Sequence, residues 1–190
     1  NYWYFSKAIK EEVCNKIIIA SLKKSKEKGT IINDKKFNFK LRNCWVSWIN
    51  DEWIYDILNP FIHTANKKAG WNFEWDWNEP CQFTHYDKNQ FYGWHCDQIV
   101  HSSKHPSKNI NGKIRKLSLT LQLTDKSKYE GGEFQFKWLS GKKVKIDTPK
   151  SAKELGSIII FPSFIFHQIT PITHGTRESL VNWSIGKPFI

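Results

Sequence analysis

The first third of the chain contains two stretches in which apolar residues recur three or four positions apart, the spacing of an amphipathic helix. The first stretch follows Ser6, which can cap a helix, and should end near Gly29. Its apolar positions are Ala8, Ile9, Val13, Ile17, Ala20 and Leu22. The second stretch is capped by Asp51 and closed by Gly70, and Pro60 within it predicts a kink.

The rest of the pattern is that of β strands: short aromatic or β-branched runs, broken by turn residues. We predict strands at 42–49, 72–77, 80–86, 91–97, 115–124, 132–138, 142–147, 156–161, 166–171 and 177–186. Helices followed by strands indicate an α+β chain with an all-β core. At 190 residues the chain suits one domain, with a helical N-terminal part at about 1–70 and a β core at about 71–190.

Candidate metal ligands lie on two of the predicted strands. His95 and Asp97 are two positions apart, so in a strand both side chains face the same side. His167, from a later strand, would complete a set of two histidines and one carboxylate, which holds non-haem Fe(II) and leaves coordination positions open. A His-x-Asp pair alone is weak, and its ordinary interpretation is a polar pair on the surface.

A cation follows the third candidate ligand. Arg177 comes ten residues after His167, and a turn around Gly175 would fold one strand back beside the next. The guanidinium would then lie near the metal, where it could bind a carboxylate bidentately. A metal with open positions and a fixed cation nearby suits a small dicarboxylate that chelates iron with one end, a description that 2-oxoglutarate fits. His174, in the same turn, is expected to face solvent.

The segment 98–114 interrupts the strand pattern directly after Asp97 and contains no acidic residue. A loop of this length is uncommon inside a compact domain and is usually functional or mobile. Its position favours a lid over the site, and an inert insertion is the alternative.

Composition changes this interpretation little. The net charge of +11 favours acidic ligands in general but does not decide the fold. The lysine-rich residues 23–28 are interpreted as a solvated helix end rather than a nucleic-acid contact. No apolar run is long enough for a membrane span, and the cysteines lack the short spacing of a zinc site or a disulfide framework, so we expect a soluble, cytoplasmic protein. The cysteines are Cys14, Cys44, Cys81 and Cys96.

Together with Tyr86, the turn Gly131-Gly132-Glu133 and the run 156–162, these residues resemble the prolyl 4-hydroxylase type of Fe(II)/2-oxoglutarate dioxygenases. The similarity is greatest to bacterial and viral proteins of the Pro/Lys-hydroxylase-domain kind, especially over 167–173, and it covers roughly residues 40 to 188. The resemblance implies a double-stranded β-helix, or jelly roll, flanked by the N-terminal helices.

The resemblance also implies roles for individual residues. The implied iron ligands are His95, Asp97 and His167. Arg177 would bind the distal carboxylate of 2-oxoglutarate, at a position where the animal collagen-type enzymes use lysine, which points towards the bacterial branch. Tyr86 would reach the cosubstrate and Trp183 would lie near its pocket, although both residues also alternate as core residues would.

The implied reaction consumes O2 and 2-oxoglutarate, releases succinate and CO2, and hydroxylates an unactivated C–H bond, with ascorbate as a candidate reductant. A proline in a peptide or protein is the first choice of substrate, with Trp94, Trp138 and the 98–114 loop as parts of a groove. A free amino acid or another small molecule is an alternative. Nucleic-acid dealkylation is less favoured, because basic surface mostly supplies non-specific affinity. A non-catalytic jelly-roll module that binds sugar or nucleic acid is the alternative from another class.

Overall fold

The computed structural model describes residues 1–30, 38, 40–101, 103, 105–141 and 143–189. Within these residues it contains two α helices and fifteen β strands. The helices are α1 (Glu11–Leu22) and α2 (Glu52–Lys68). The strands before α2 are β1 (Trp3–Phe5), β2 (Glu27–Lys28), β3 (Arg42–Asn43) and β4 (Trp45–Ile49). Those after it are β5 (Trp77–Asn78), β6 (Cys81–Tyr86), β7 (Phe91–His95), β8 (Ile114–Gln122), β9 (Tyr129–Gly131), β10 (Phe134–Ser140), β11 (Lys143–Asp147), β12 (Ile158–Pro162), β13 (His167–Ile169), β14 (Ile172–Gly175) and β15 (Arg177–Gly186).

The strands form two main antiparallel sheets. The larger sheet has the order β1-β12-β8-β15-β6-β4-β2, with β5 added beside β15. The second sheet has the order β11-β10-β13-β7-β3, and β14 pairs separately with β9. Buried side chains from both sheets, among them Phe136 and Phe161, share one core cluster, so the sheets face each other as in a jelly roll.

The helices cover the outer face of the larger sheet. The fully buried side chains of α2, Ile54 and Leu58 among them, pack in one cluster with alternate residues of β8. Each such aliphatic side chain contributes on the order of 1.5–3 kcal/mol when it is removed from water. All nine residues of β8 are buried, because one face of this strand meets the helices and the other meets the space between the sheets. The outward positions of β8 are Leu117, Leu119 and Leu121.

An extra residue in β8 reverses this alternation near the start of the strand. Ser184 of β15 pairs with Leu117, but the next residue, Ile185, pairs with Arg115, so Lys116 is the additional residue of a β-bulge. A bulge re-aims the side chains on either side of it. Leu117 therefore packs on the helix side, while Arg115 faces the space between the sheets.

The helices agree in part with the predictions from the sequence. Helix α2 starts after Asp51 and ends before Gly70, whose φ of +72° suits glycine. Helix α1 is shorter than predicted. It begins at Glu11, five residues after Ser6, and it ends at Leu22, before the lysine-rich tail. The end of that tail forms β2 and pairs with β4, where the sheet edge supplies backbone partners that an isolated polar helix end lacks.

The strands also differ from the predictions in places. The first 70 residues are not only helical, because β1 to β4 add to both sheets. Of the predicted 72–77 strand only the short β5 forms, and β7 ends at His95, so Asp97 lies just beyond a strand. Arg177 does not lie in a strand beside β13, because the chain crosses from the second sheet to the larger one between them. Neither described helix is long and apolar enough to cross a membrane.

Candidate metal centre and active-site cavity

Three side chains converge between the sheets. The ligand atoms of His95, Asp97 and His167 all lie within 4.8 Å of one another. Nε2 of His95 is 3.6 Å from Oδ1 of Asp97, and Nε2 of His167 is 3.6 Å from Oδ2 of the same carboxylate. The two histidines are directly opposite each other across the pairing of β13 with β7. The predicted metal-ligating residues are therefore brought together, although they come from separate parts of the chain.

Hydrogen bonds orient both imidazoles for a metal. Nδ1 of His95 is 2.7 Å from the carbonyl oxygen of Gly93, and Nδ1 of His167 is 2.9 Å from that of Ile165. Each Nδ1–H thus donates to a backbone carbonyl, which leaves the lone pair of Nε2 directed towards the centre of the cluster. This arrangement fits a divalent metal bound by two neutral imidazoles and one carboxylate on one face.

Backbone contacts hold Asp97 although it lies outside a strand. The N–H groups of Asp97 and Gln98 both donate to the carbonyl oxygen of Ser163, at 2.8 and 2.9 Å. The buried hydroxyl of Ser163 is in turn 2.9 Å from that of Ser118 in β8. The turn after β12 therefore positions the carboxylate from the opposite sheet.

The protonation states also suit metal binding. Burial lowers the pKa of His95 to about 3, and the neighbouring His167 adds to this effect. Burial alone would raise the pKa of Asp97, but interactions with the two histidines and with Arg115 outweigh it and bring the pKa to about 2. Neutral imidazole and ionised carboxylate are the forms that bind a divalent ion.

The inner cavity extends from the metal cluster to Arg177. It is narrow, about 40 Å³, and has apolar walls that include Phe134 and Phe161. Arg177 is 2% exposed, and Nη1 donates to Oγ of Ser179 at 3.2 Å. Its position at the start of β15 places a buried cation and the metal cluster on the same cavity.

Tyr86 and Trp183 line the same inner cavity, so all six predicted site residues meet there. Tyr86 lies directly across the strand pair from Arg177, whose guanidinium is 5.7 Å from the phenol ring, and burial raises the pKa of Tyr86. The indole of Trp183 helps to lower the pKa of Asp97, yet Nε1 is buried without a hydrogen-bond partner of ordinary geometry among the described residues. His174 is exposed.

An outer cavity of about 230 Å³ adjoins the inner one, and the sequence did not predict it. It shares Asp97 and Trp183 with the inner cavity and is also lined by two buried arginines, Arg42 and Arg115. Arg115 pairs bidentately with Glu79 through contacts of 2.7 and 2.6 Å. The pairing joins residues 36 positions apart, since Glu79 lies between β5 and β6 whereas Arg115 lies in β8. Two adjacent charged residues, Arg115 and Lys116, at the start of a predicted strand were the only signal in the sequence.

The two tryptophans that were predicted to belong to a substrate groove, Trp94 and Trp138, contact other side chains. Lys137 lies over the ring of Trp94 at 4.4 Å, and the ring of Trp138 packs at 5.6 Å from that of Phe136. Neither tryptophan lines the inner or the outer cavity. The tryptophans that line the outer cavity are Trp183 and the half-exposed Trp48.

The base of the 98–114 loop is joined by backbone pairing. Val100 pairs with Ile114, and the N–H of His101 donates to the carbonyl oxygen of Lys113. Nε2 of His101 also lies 2.9 Å from the carboxylate of Glu79. Residues 102 and 104 lie outside the described residues. A lid function for the loop stays a prediction.

Comparison with known proteins places the chain in a family. A profile described as the 2OG-Fe(II) oxygenase superfamily matches residues 81–185, which include all of the predicted site residues. A PKHD-type hydroxylase of Alteromonas mediterranea is 34% identical over 105 residues, covering 55% of this chain and 42% of the relative. The chain therefore matches less than half the length of this curated relative.

Solved structures of similar fold extend over nearly the whole chain. A prolyl-4-hydroxylase of Pseudomonas putida superimposes with a TM-score of 0.70 at 14% identity and covers 96% of this chain and 91% of its own. A prolyl hydroxylase from Trichoplax adhaerens, in complex with a peptide fragment of hypoxia inducible factor, gives 0.70 at 15% identity and covers 96% and 82%. At these identities the likeness concerns the fold, and it confirms the predicted jelly roll with N-terminal helices.

Proposed function

Because this chain belongs to the 2OG-Fe(II) oxygenase superfamily, we propose that it hydroxylates an unactivated C–H bond of a proline in a peptide. Family membership and the His-Asp-His cluster confirm the predicted type of enzyme and the predicted use of Fe(II) and 2-oxoglutarate. The proline substrate is supported by the likeness to prolyl hydroxylases, one of which holds a peptide. The observation that carries the proposal is the single cavity that joins the metal cluster to Arg177.

Different residues of the inner cavity would bind the metal and 2-oxoglutarate. His95, Asp97 and His167 would hold the metal from one side, with each imidazole keeping its proton on Nδ1. Arg177 would bind the distal carboxylate of 2-oxoglutarate through its guanidinium fork, with the hydroxyl of Tyr86 on the neighbouring strand as a further donor. Trp183 would close the cavity on the side of Asp97.

When bound, Fe(II) with 2-oxoglutarate and O2 supplies the oxidising power, so that one oxygen atom enters the C–H bond and the other enters the succinate formed with CO2. The chain supplies position, charge and exclusion of water. The apolar side chains of Phe134, Phe161 and Ile169 keep water from the inner cavity. A fixed cation in this low-dielectric space binds a dianion more strongly than it would in water.

An anaerobic titration of Fe(II) into protein with 2-oxoglutarate tests the metal and cosubstrate assignment. We expect a visible metal-to-ligand charge-transfer band in the wild type, loss of the band in His95→Ala, and no loss in the control Cys96→Ser. A band in the wild type that survives His95→Ala would contradict the ligand assignment. No band in any of the proteins would favour a non-catalytic binding module.

The same preparation, given O2, tests the substrate. A proline-containing peptide should gain the mass of one oxygen atom, with succinate formed in equal amount. Succinate formed without peptide oxidation would favour a free amino acid or another small molecule.

The free thiols of Cys14, Cys44 and Cys81 support a reducing compartment, and we propose the cytoplasm.

A further inference from the structure

A buried guanidinium with an unpaired nitrogen lines the outer cavity. Arg115 is 5% exposed, and its Nε and Nη2 are taken up by the carboxylate of Glu79. Its third nitrogen, Nη1, is buried and has no hydrogen-bond partner among the described residues. A buried donor left unpaired carries a free-energy penalty. An acceptor that enters the cavity would remove this penalty.

The fold holds Arg115 in this position. The extra residue in β8 turns the side chain away from the helices and towards the cavity. Its guanidinium stacks on the ring of Trp183 at 3.7 Å, and the bidentate pairing with Glu79 fixes its plane. Burial would raise the pKa of Glu79, but hydrogen bonds from Arg115 and His101 outweigh it and lower the pKa. The ion pair is therefore a rigid element of the cavity wall.

A second cation faces the same space. Arg42 is 6% exposed, and its guanidinium lies 4.4 Å from the ring centre of Tyr92. The partners that the described residues supply to it include no carboxylate: they are Sγ of Cys44 at 3.1 Å, the carbonyl oxygen of Thr30 at 2.8 Å and Oε1 of Gln82 at 3.1 Å. These contacts orient the guanidinium but do not balance its charge.

The described side chains leave the outer cavity positively charged. Glu79 balances the charge of Arg115, and the carboxylate of Asp97 belongs to the metal cluster. Among the described residues, no carboxylate balances the charge of Arg42. A buried charge is unfavourable unless it is paired, so the cavity favours an anion. A carboxylate is an anion that accepts strong hydrogen bonds from a guanidinium, and a proline-containing substrate can carry one.

We propose that the outer cavity binds a carboxylate of the substrate that is hydroxylated, held by Nη1 of Arg115 and by the charge of Arg42. The inference rests on the proposed function and specifies its substrate. The carboxylate has two possible sources: the α-carboxylate of a free or C-terminal proline, or an acidic side chain next to a proline within a peptide. Arg115 and Arg42 are then specificity-determining residues, and they do not take part in the oxidation.

Calorimetric titration of the anaerobic protein, loaded with Fe(II) and 2-oxoglutarate, tests this inference without turnover. One arm compares L-proline with L-prolinamide. The other compares the capped dipeptide N-acetyl-Pro-Asp-amide with N-acetyl-Pro-Asn-amide. In at least one arm the carboxylate should bind roughly 10- to 100-fold more tightly than the amide, the ratio expected for a hydrogen bond to a charged group. The arm that shows the preference identifies the source. Equal binding in both arms, or no binding of either carboxylate, overturns the proposal.

Two variants assign the preference to Arg115. Arg115→Lys keeps the charge beside Glu79 but removes the guanidinium fork. The double variant Arg115→Gln with Glu79→Gln removes both members of the ion pair, so that no isolated buried charge threatens folding. Both should lower the ratio of carboxylate to amide affinity, and the charge of Arg42 should leave part of the preference. Lys126→Gln, which removes a cation from an exposed ion pair with Glu154, should leave it unchanged.

The charge-transfer band separates this inference from the proposed function. The band should persist in the two Arg115 variants, since the inner cavity remains intact. A band with an unchanged affinity ratio in the double variant overturns the role of Arg115 alone. Loss of the band in the wild type would instead overturn the proposed function.

Discussion

Replacement of Arg177 should separate binding of the cosubstrate from binding of the metal. The guanidinium is 2% exposed, and the hydrogen-bond partner that the described residues supply to it is the hydroxyl of Ser179. A buried cation without a carboxylate partner is set up to receive one from a ligand. Arg177→Lys keeps the charge and loses the bidentate fork, so 2-oxoglutarate should bind more weakly while iron stays bound.

The size of the effect follows from the lost hydrogen bond. A hydrogen bond to a charged group contributes about 1.5–3 kcal/mol, so the Kd for 2-oxoglutarate should rise roughly 10- to 100-fold. At a ligand concentration about 100 times the wild-type Kd, binding stabilises the wild type by about 2.7 kcal/mol. The lysine variant should retain about 0.4–1.4 kcal/mol at that concentration. For a chain of this length, the rise in Tm should fall from about 5–10 °C to about 1–5 °C.

Thermal melting of the anaerobic, Fe(II)-loaded protein with and without 2-oxoglutarate measures this difference. Arg177→Gln provides a second test, because it removes the buried cation altogether. Without 2-oxoglutarate this variant should be at least as stable as the wild type, and the cosubstrate should no longer raise its Tm. An unchanged rise in Tm in the lysine variant, at matched iron content, would refute the assignment of Arg177.

Three further predictions concern stability and the loop. His85 has a raised pKa, chiefly through its hydrogen bond with Glu178, so its ion pairs stabilise the fold at low pH and lose this effect as the pH rises through that pKa. His85→Gln should therefore lose more stability in urea unfolding at about pH 5.5 than at about pH 9. Gly156 has a φ of +73° and a backbone oxygen 1.9 Å from where a Cβ would lie. Gly156→Ala should lower the free energy of unfolding by about 3 kcal/mol or more, against about 1 kcal/mol for Gly141→Ala, where φ is also positive but the surrounding space is open. If the 98–114 loop is a lid, a proline peptide that the protein hydroxylates should slow proteolysis of the loop when it binds. Equal cleavage of the loop with and without that peptide would count against a lid.

The metal cluster could be predicted from the sequence because few other arrangements explain its residues together. His95 and Asp97 lie two positions apart, and His167 and Arg177 follow at a spacing that matches a known family. The long strands were also predictable, since the apolar run of β12 and the alternating positions of β8 and β15 can be recognised without their partners. Short strands such as β1, β2 and β14 were not, because two to four residues carry little propensity of their own and form a strand only by pairing with another part of the chain.

Arg115 shows why the outer cavity could not be predicted in the same way. Regular alternation along β8 would put Arg115 on the same side as Leu117, against the helices, where a charged side chain would have no suitable partner. One additional residue in β8 reverses that direction, and no pattern of apolar and polar positions reveals it in advance. The pairing with Glu79 then depends on β8 meeting the segment between β5 and β6 in the folded chain. The charge of the cavity, and with it the preference for a carboxylate, is thus a consequence of tertiary structure, although every residue that produces it is visible in the sequence.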